Sequence, residues 1–204
     1  MLRPVFMAIS IILYVVRAEG LEPPRLASPE PKSGVSANFT TPAKETPGKM
    51  TRLLFVHDPF LKIRNLNNDY PNFIIDVEKE QTDLLTHDRI ILQFPMFWYS
   101  TPALLKEWLD AVLTPGFAYS YGNNSEDFKL QGKKLLLSIT AAGPQNAYQG
   151  GAVNLSTVEE LFVPLNRTAH YCRMDFETPV VSHEMLGFLP HKQLEVENRV
   201  EAHI

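Results

Sequence analysis

Residues 93–110 read QFPMFWYSTPALLKEWLD, and the order of residue types in this stretch sets the fold. It begins inside an apolar run, RIILQF (residues 89–94), with the length and composition of a strand buried on both faces. Pro95 holds Phe94 extended and ends the run. Phe97, Trp98 and Tyr99 follow at the point where the chain surfaces. Thr101-Pro102 then opens a helix, with a capping hydroxyl followed by proline at the first helical position. Leu104, Leu105, Trp108, Leu109 and Val112 repeat at helical spacing, and Thr114-Pro115-Gly116 stops the helix.

The same alternation extends on both sides. TRLLFVH (residues 51–57) suits a buried parallel strand and LKIRNL (61–66) a second, shorter one. DVEKEQTDLLTH (76–87) reads as a helix with Asp76 as N-cap and acidic residues in its first turn. KKLLLSIT (133–140) is a central strand, followed by a loop of small residues, AAGPQNAYQGGA. LSTVEELFVPLNRTA (155–169) is expected to be helical, HYCRMDFETPVV (170–181) the last strand, and residues 191–204 a short terminal helix. Strands alternating with helices define an α/β chain with an open, mostly parallel sheet. There is no internal repeat.

Composition bounds the function classes. The chain has 204 residues, 45% hydrophobic and 21% charged, enough for one domain with a true core. A net charge of −4 gives no electrostatic reason to expect nucleic acid as a partner. The single cysteine, Cys172, excludes an internal disulfide framework and a cysteine-based zinc site, and favours a reducing, cytoplasmic setting. No metal site is expected.

The first 49 residues differ in kind. The apolar segment 4–16 is short for a membrane span, which needs roughly 20 residues, but fits a secretory signal. The proline-rich stretch after it is expected to be disordered. A second reading is open. GLEPPRLASPEPKSGVSANFTTPA (20–43) resembles the conceptual translation of the antisense strand of a bacterial leucine transfer-RNA gene. That resemblance implies a non-native leader over 1–49, a true start near Met50 and a domain over 50–204.

In open α/β sheets ligands bind beyond the carboxyl ends of central strands. Two places qualify: Pro95, Met96, Phe97, Trp98 and Tyr99 after one strand, and Thr140, Ala141, Ala142 and Gly143 at the end of the other. The first is an aromatic wall. The second lets the backbone approach a ligand closely, with Tyr148 following as a hydroxyl donor. Such a pair suits a planar ring with hydrogen-bonding edges, as in an isoalloxazine. Aromatics in this position also serve as ordinary core or interface residues.

The segment QFPMFWYSTPALLKEWLDAVLTPGFAY, with YPNFIIDVEKEQ before it and GKKLLLSIT, HYC and Ser182-His183 after it, resembles the NAD(P)H dehydrogenase (quinone) family of flavodoxin-like flavoproteins. The match is closest to the ancillary oxidoreductases of glutathione-regulated potassium-efflux systems. The resemblance implies a flavodoxin-like three-layer sandwich, a homodimer, and FMN or FAD as the carrier of a hydride from NAD(P)H to a quinone or related electrophile. It implies that Pro95–Tyr99 run along the flavin ring and that Thr140–Gly143 give N–H groups to its pyrimidine edge. Tyr148 matches a tyrosine that bonds the flavin or the acceptor and is the expected catalytic residue. His57 matches a histidine at the flavin phosphate site. Asn154 stands where one branch of the family has a relay histidine, and Cys172 and His183 match as structural residues. A potassium-efflux antiporter is the implied partner, which would hold the protein at the inner face of the membrane. A regulatory subunit with little turnover, or an inactive truncated paralogue, is the alternative.

One departure is large. Only residues 58–60 separate His57 from the second strand, whereas parallel neighbours need a crossover of about 10–12 residues. The first crossover helix is therefore expected to be missing, together with the phosphate cradle that its N-terminus forms.

Overall fold

Ile12–Val16 (β1) lies between Leu61–Asn65 (β2) and Arg89–Pro95 (β3), antiparallel to both. The computed structural model describes residues 11–16, 61–122, 124–185 and 190–202. Residues 51–57, the expected first strand, lie outside them, as does His57. A segment read from sequence as part of a leader thus supplies a strand to the sheet. The physical reason is local: an apolar five-residue run pairs as readily as it threads a membrane, and an antiparallel partner needs no crossover helix.

The sheet continues through Lys134–Thr140 (β4), parallel to β3. Its far edge is split. Asp175–Phe176 (β5) pairs the start of β4 and Val180–Ser182 (β6) pairs its end, both parallel. Residues 170–181 were expected to form one strand. Instead His170 and Tyr171 end a helix, and Pro179, which has no N–H, lies between the two short strands. With β1 alone reversed, the order β2-β1-β3-β4-β5 keeps the mostly parallel α/β sheet.

Helices cover both faces. Leu66–Asp69 (α1), Val77–Leu85 (α2), Ala103–Val112 (α3), Val158–Leu161 (α4) and Val163–Tyr171 (α5) precede Pro190–Glu201 (α6). Leu13 and Val15 of β1, Leu92 and Phe94 of β3, and Leu137 and Ile139 of β4 point to one core with Leu105 and Trp108 of α3 and Leu165 of α5. The alternate residues Ile91 and Leu136 meet Val200 of α6 on the other face. Period-two alternation makes three layers.

Helix ends follow sequence signals in part. Asp76 accepts from the Lys79 N–H at 3.1 Å, and Thr157 and Glu160 form a capping box. Pro102 is itself the N-cap of α3 and no side chain caps that helix, so Thr101 does not play the expected role. The helix expected over 155–169 is two helices, broken at Phe162, with Pro164 in the first turn of the second.

A buried polar network locks β2 to the helices. Glu80, fully buried, accepts from Arg64, from the Tyr70 hydroxyl and from Trp108 Nε1 (2.9 Å). Arg64 also reaches Asp69 at 2.6 Å and Asp83 at 3.2 Å. Burial works against the Arg64 charge, but hydrogen bonds to Tyr70, Glu80 and Asp69 outweigh it and hold the guanidinium above its ordinary range. Burial and the bond to Glu80 push the Tyr70 hydroxyl up to about 12.

Candidate functional site

At the carboxyl edge Pro95 and Thr140 face each other on the last rung of β3 and β4, and the Met96 N–H donates to Thr140 O at 2.9 Å. Phe97 and Ser100 then exchange two N–H···O bonds of 2.9 Å, closing a two-residue turn. Trp98 and Tyr99 occupy its corners with φ of 47° and 62°. Both positive values are the signature of a type I′ turn, where asparagine and glycine are usual. Two aromatic residues in this backbone region are strained, and such strain concentrates at ligand sites. The turn leaves Trp98 93% exposed, with Phe97 and Tyr99 beside it. Pro95 is buried at the strand end, and Met96 packs partly into the core. The aromatic surface therefore comes from residues 97–99, not from the whole run.

The loop after β4 divides in the same way. Thr140 and Ala141 are buried. The Ala141 N–H donates to Ser182 O at 2.8 Å and is committed to the sheet edge. The N–H groups of Ala142 and Gly143 have no partner among the described residues. A Cβ on Gly143 would lie 3.3 Å from Tyr148 Cε2, so glycine is needed for the ring to sit there.

Tyr148 caps a short 3-10 turn, Gln145–Ala147, and is half-buried against the core. Asn154 returns toward it, donating its N–H to Ala147 O at 3.1 Å. Its Oδ1 accepts from the Tyr99 hydroxyl at 3.2 Å, which ties the aromatic turn to the loop after β4. The structure thus brings Trp98, Tyr99, Ala142, Gly143 and Tyr148 to one edge of the sheet, as the strand-end rule requires. Of these, Tyr148 lines a cleft of about 1070 Å³, together with Gln149, Thr157, Glu159, His183 and Arg199 among others.

By resemblance Asn154 stands where a relay histidine would be, and His183 is a structural residue. Asn154 proves to bridge the two loops of the site, and His183 lies with its ring centroid 5.5 Å from that of Tyr148. The available signal was position: His183 directly follows β6, at the same carboxyl edge. Cys172 is buried at the end of α5, and burial pushes its thiol up to about 11, consistent with a packing residue.

The reversal of β1 bears on the other half of the site. Antiparallel pairing sets Ile12 opposite both Asn65 and Gln93, so β1 begins, rather than ends, at the edge where Pro95 and Thr140 finish. Beside that end Asn65 caps α1, and Asn67 Oδ1 accepts from the Ile11 N–H at 2.8 Å.

The fold and site define an open α/β protein with a loop-built cleft at the carboxyl edge of its central strands. The family model described as flavodoxin-like fold matches residues 26–204, and the chain belongs to that family. It is 51% identical over 116 residues to an uncharacterized NAD(P)H oxidoreductase, YrkL, of Bacillus subtilis, covering 57% of this chain and 64% of that one, just under two thirds of the relative's length. It is 41% identical to the glutathione-regulated potassium-efflux system ancillary protein KefG of Cronobacter sakazakii, covering 60% of this chain and 65% of that one.

Among solved structures, one described as a thermophilic tryptophan halogenase from Streptomycin violaceusniger superposes with a TM-score of 0.67 at 33% identity, covering 78% of this chain and 90% of that one. General stress protein 14 of Treponema denticola, in complex with FMN, gives 0.58 at 36% identity, covering 67% and 74%. An NADPH-quinone reductase from P. pentosaceus gives 0.57 at 30% identity, covering 76% and 88%.

Proposed function

We propose that this chain is a flavin-dependent NAD(P)H oxidoreductase that passes a hydride to quinones or related small electrophiles. The observation that carries the reading is the pairing, at one strand edge, of a strained aromatic turn with a loop whose Ala142 and Gly143 N–H groups have no partner among the described residues. Those two donors fit the polar edge of an isoalloxazine, and Trp98 and Tyr99 fit its ring. Bound flavin would supply the hydride carrier. The chain's own residues do the rest: the two N–H groups hold the ring edge where negative charge builds on reduction, and Tyr148 offers a hydroxyl to the acceptor. FMN is favoured over FAD because general stress protein 14, a relative in fold and sequence, was solved with FMN.

Pro95, Met96, Thr140 and Ala141 support the ring-binding residues from within the sheet. The placement of His57 at a phosphate site stays part of the proposal on resemblance alone. We place the protein in the cytoplasm as a homodimer; no described helix is long and apolar enough to cross a membrane. The KefG relative favours a second reading, that of an ancillary subunit docked on a potassium-efflux antiporter.

The test uses the full chain. It is titrated with FMN and FAD by fluorescence quenching, then mixed with NADH or NADPH and a benzoquinone. The proposal expects flavin retained through gel filtration and nicotinamide oxidation that requires quinone. A chain that stays colourless after both flavins are added overturns it. Flavin binding with negligible turnover, joined to co-purification with an antiporter, selects the ancillary reading.

A further inference from the structure

Two stretches of the chain fit one place in the sheet. β1, Ile12–Val16, reads ILYVV, and residues 53–57, which lie outside the described residues, read LLFVH. Position by position the types agree: isoleucine against leucine, leucine against leucine, tyrosine against phenylalanine, valine against valine. Val16 and His57 alone are unlike. Asp58, Pro59 and Phe60 join the second stretch to β2. Such a connection is too short for the crossover that a parallel neighbour needs, but it closes an antiparallel hairpin. Antiparallel to β2 is the direction in which β1 runs.

Register agrees as well. A hairpin closed over residues 58–60 sets His57 opposite Leu61, and so Val56 opposite Lys62, Leu54 opposite Arg64 and Leu53 opposite Asn65. β1 places Val16, Val15, Leu13 and Ile12 on those same partners. Leu13 and Val15 are fully buried, with Leu92 and Ile90 as their rung partners on β3. The hairpin brings a leucine and a valine to the same two rungs. What holds each stretch differs. Ile11, 2% exposed, donates its N–H to Asn67 Oδ1 at 2.8 Å and accepts from the Leu66 N–H at 2.9 Å. On the hairpin register that place falls to Arg52, whose charge is costly to bury. Packing therefore favours β1. Closure favours the hairpin, because β1 is tethered to β2 through residues 17–60 and the second stretch through 58–60 alone.

We infer that residues 53–57 are a reserve strand for the place between β2 and β3, exchanging with β1 in the same direction and on the same rungs. β1 is the major occupant. The hairpin is the minor one, within the range of about 0.1–10% in which such second states are populated. Neither β2 nor β3 has to shift register for the exchange, since polarity and rungs are kept. Arg52 and His57 make the reserve strand the poorer fit: it keeps β2 and β3 paired without restoring the packing that β1 supplies.

The test traps each occupant in the full chain. Cys172 is the only cysteine, so a Cys172→Ser background leaves engineered thiols as the sole reporters. Leu13→Cys with Leu92→Cys joins present rung partners, whereas Leu54→Cys with Leu92→Cys joins residues that become rung partners only after exchange. In a thiol–disulfide buffer the first pair is expected to close rapidly. The second should close about 10- to 1000-fold more slowly, in proportion to the minor population. Adding Leu13→Asp, which places a charge at a buried rung, should speed the second closure at least about 10-fold. Leu54→Cys with Leu137→Cys, one strand further on, is the control. A Leu54–Leu92 crosslink no faster than the control, or unmoved by Leu13→Asp, overturns the inference. Should these thiols prevent folding, Val15 or Val56 paired with Ile90 repeats the comparison at the other rung. Hydrogen exchange in the Leu13→Asp chain gives a readout free of thiols. Amide protection is expected to leave residues 12–16 and appear at 53–57, and its absence from 53–57 overturns the inference equally.

Discussion

The Tyr99 hydroxyl donates to Asn154 Oδ1 at 3.2 Å, and this one bond spans the two loops that carry the candidate site. An exposed hydrogen bond of this kind contributes about 0.5–1.5 kcal/mol. Tyr99→Phe is expected to leave the thermal midpoint within about 4 °C of wild type. It should weaken FMN binding about three- to tenfold, because the turn is no longer held at its distance from the Gly143 loop. Asn154→Ala should match it, with no further loss in the double variant. Fluorescence quenching checks the affinities. Additive losses would show that the two residues serve the ligand separately.

Trp98 is strained and exposed, a combination that predicts opposite effects on stability and binding. Trp98→Gly relieves the left-handed backbone and should raise stability by about 1 kcal/mol in urea denaturation. The same variant loses a stacking surface and should bind FMN at least about 10-fold more weakly. Stabilisation gained with function lost is the mark of a residue kept for its site. Loss of both together would mean the indole packs somewhere in the fold.

Much of this architecture was legible because it is local. The periodicities of residues 76–87, 89–94 and 133–140 depend on neighbours in sequence, and they became α2, β3 and β4. The strand-end rule singled out Trp98, Tyr99 and Gly143, which lie beyond the carboxyl ends of β3 and β4. What escaped was non-local. Glu80 sits in DVEKEQTDLL, which reads as a surface helix, and only the convergence of Arg64, Tyr70 and Trp108 buries it. Residues 12–16 carry no sign of the partners they pair, since either side of an apolar run can be chosen by the sheet. His183 became part of the site through main-chain register, which no residue type encodes.

Glu80 holds one carboxylate in contact with a guanidinium, a phenol and an indole N–H. Glu80→Ala leaves Arg64 buried without its closest counter-charge and two donors unpaired, a loss of about 3–5 kcal/mol. Trp108→Phe removes the indole donor alone and should cost about 1–3 kcal/mol. Urea denaturation of both variants checks the order. A smaller effect from Glu80→Ala than from Trp108→Phe would mean that the ion pair contributes nothing net.

Alkaline conditions test the same network. Tyr70 is neutral when protonated, and its folded value, about 12, lies above the ordinary 10. Its contribution is therefore full below pH 10 and is lost as pH rises toward 12, on the order of 2 kcal/mol. Cys172, pushed from 9 up to about 11 by burial, acts in the same direction over its own interval. Lys133, lowered by burial, works the other way. Melting curves from pH 8 to 12 should show a steep alkaline loss, shallower in Tyr70→Phe and shallower again with Cys172→Ala added. A loss of equal slope in all of them would place its origin outside this network.

The antiparallel β1 makes the sharpest structural prediction. Leu13 and Val15 are fully buried at the centre of the sheet, and Ile11 is nearly so. Deleting residues 1–49 removes all three and strips one edge from both β2 and β3. Each lost aliphatic side chain costs about 2–5 kcal/mol, a sum comparable to the whole stability of a domain. The 50–204 chain is expected to be insoluble or molten, with lost near-ultraviolet dichroism and bound hydrophobic dye. Leu13→Ala in the full chain should cost about 2–5 kcal/mol in denaturation. If the 50–204 chain instead folds with an unchanged melting point, another segment fills the place between β2 and β3. Residues 51–57 would be the first to examine, since their apolar run suits a buried strand.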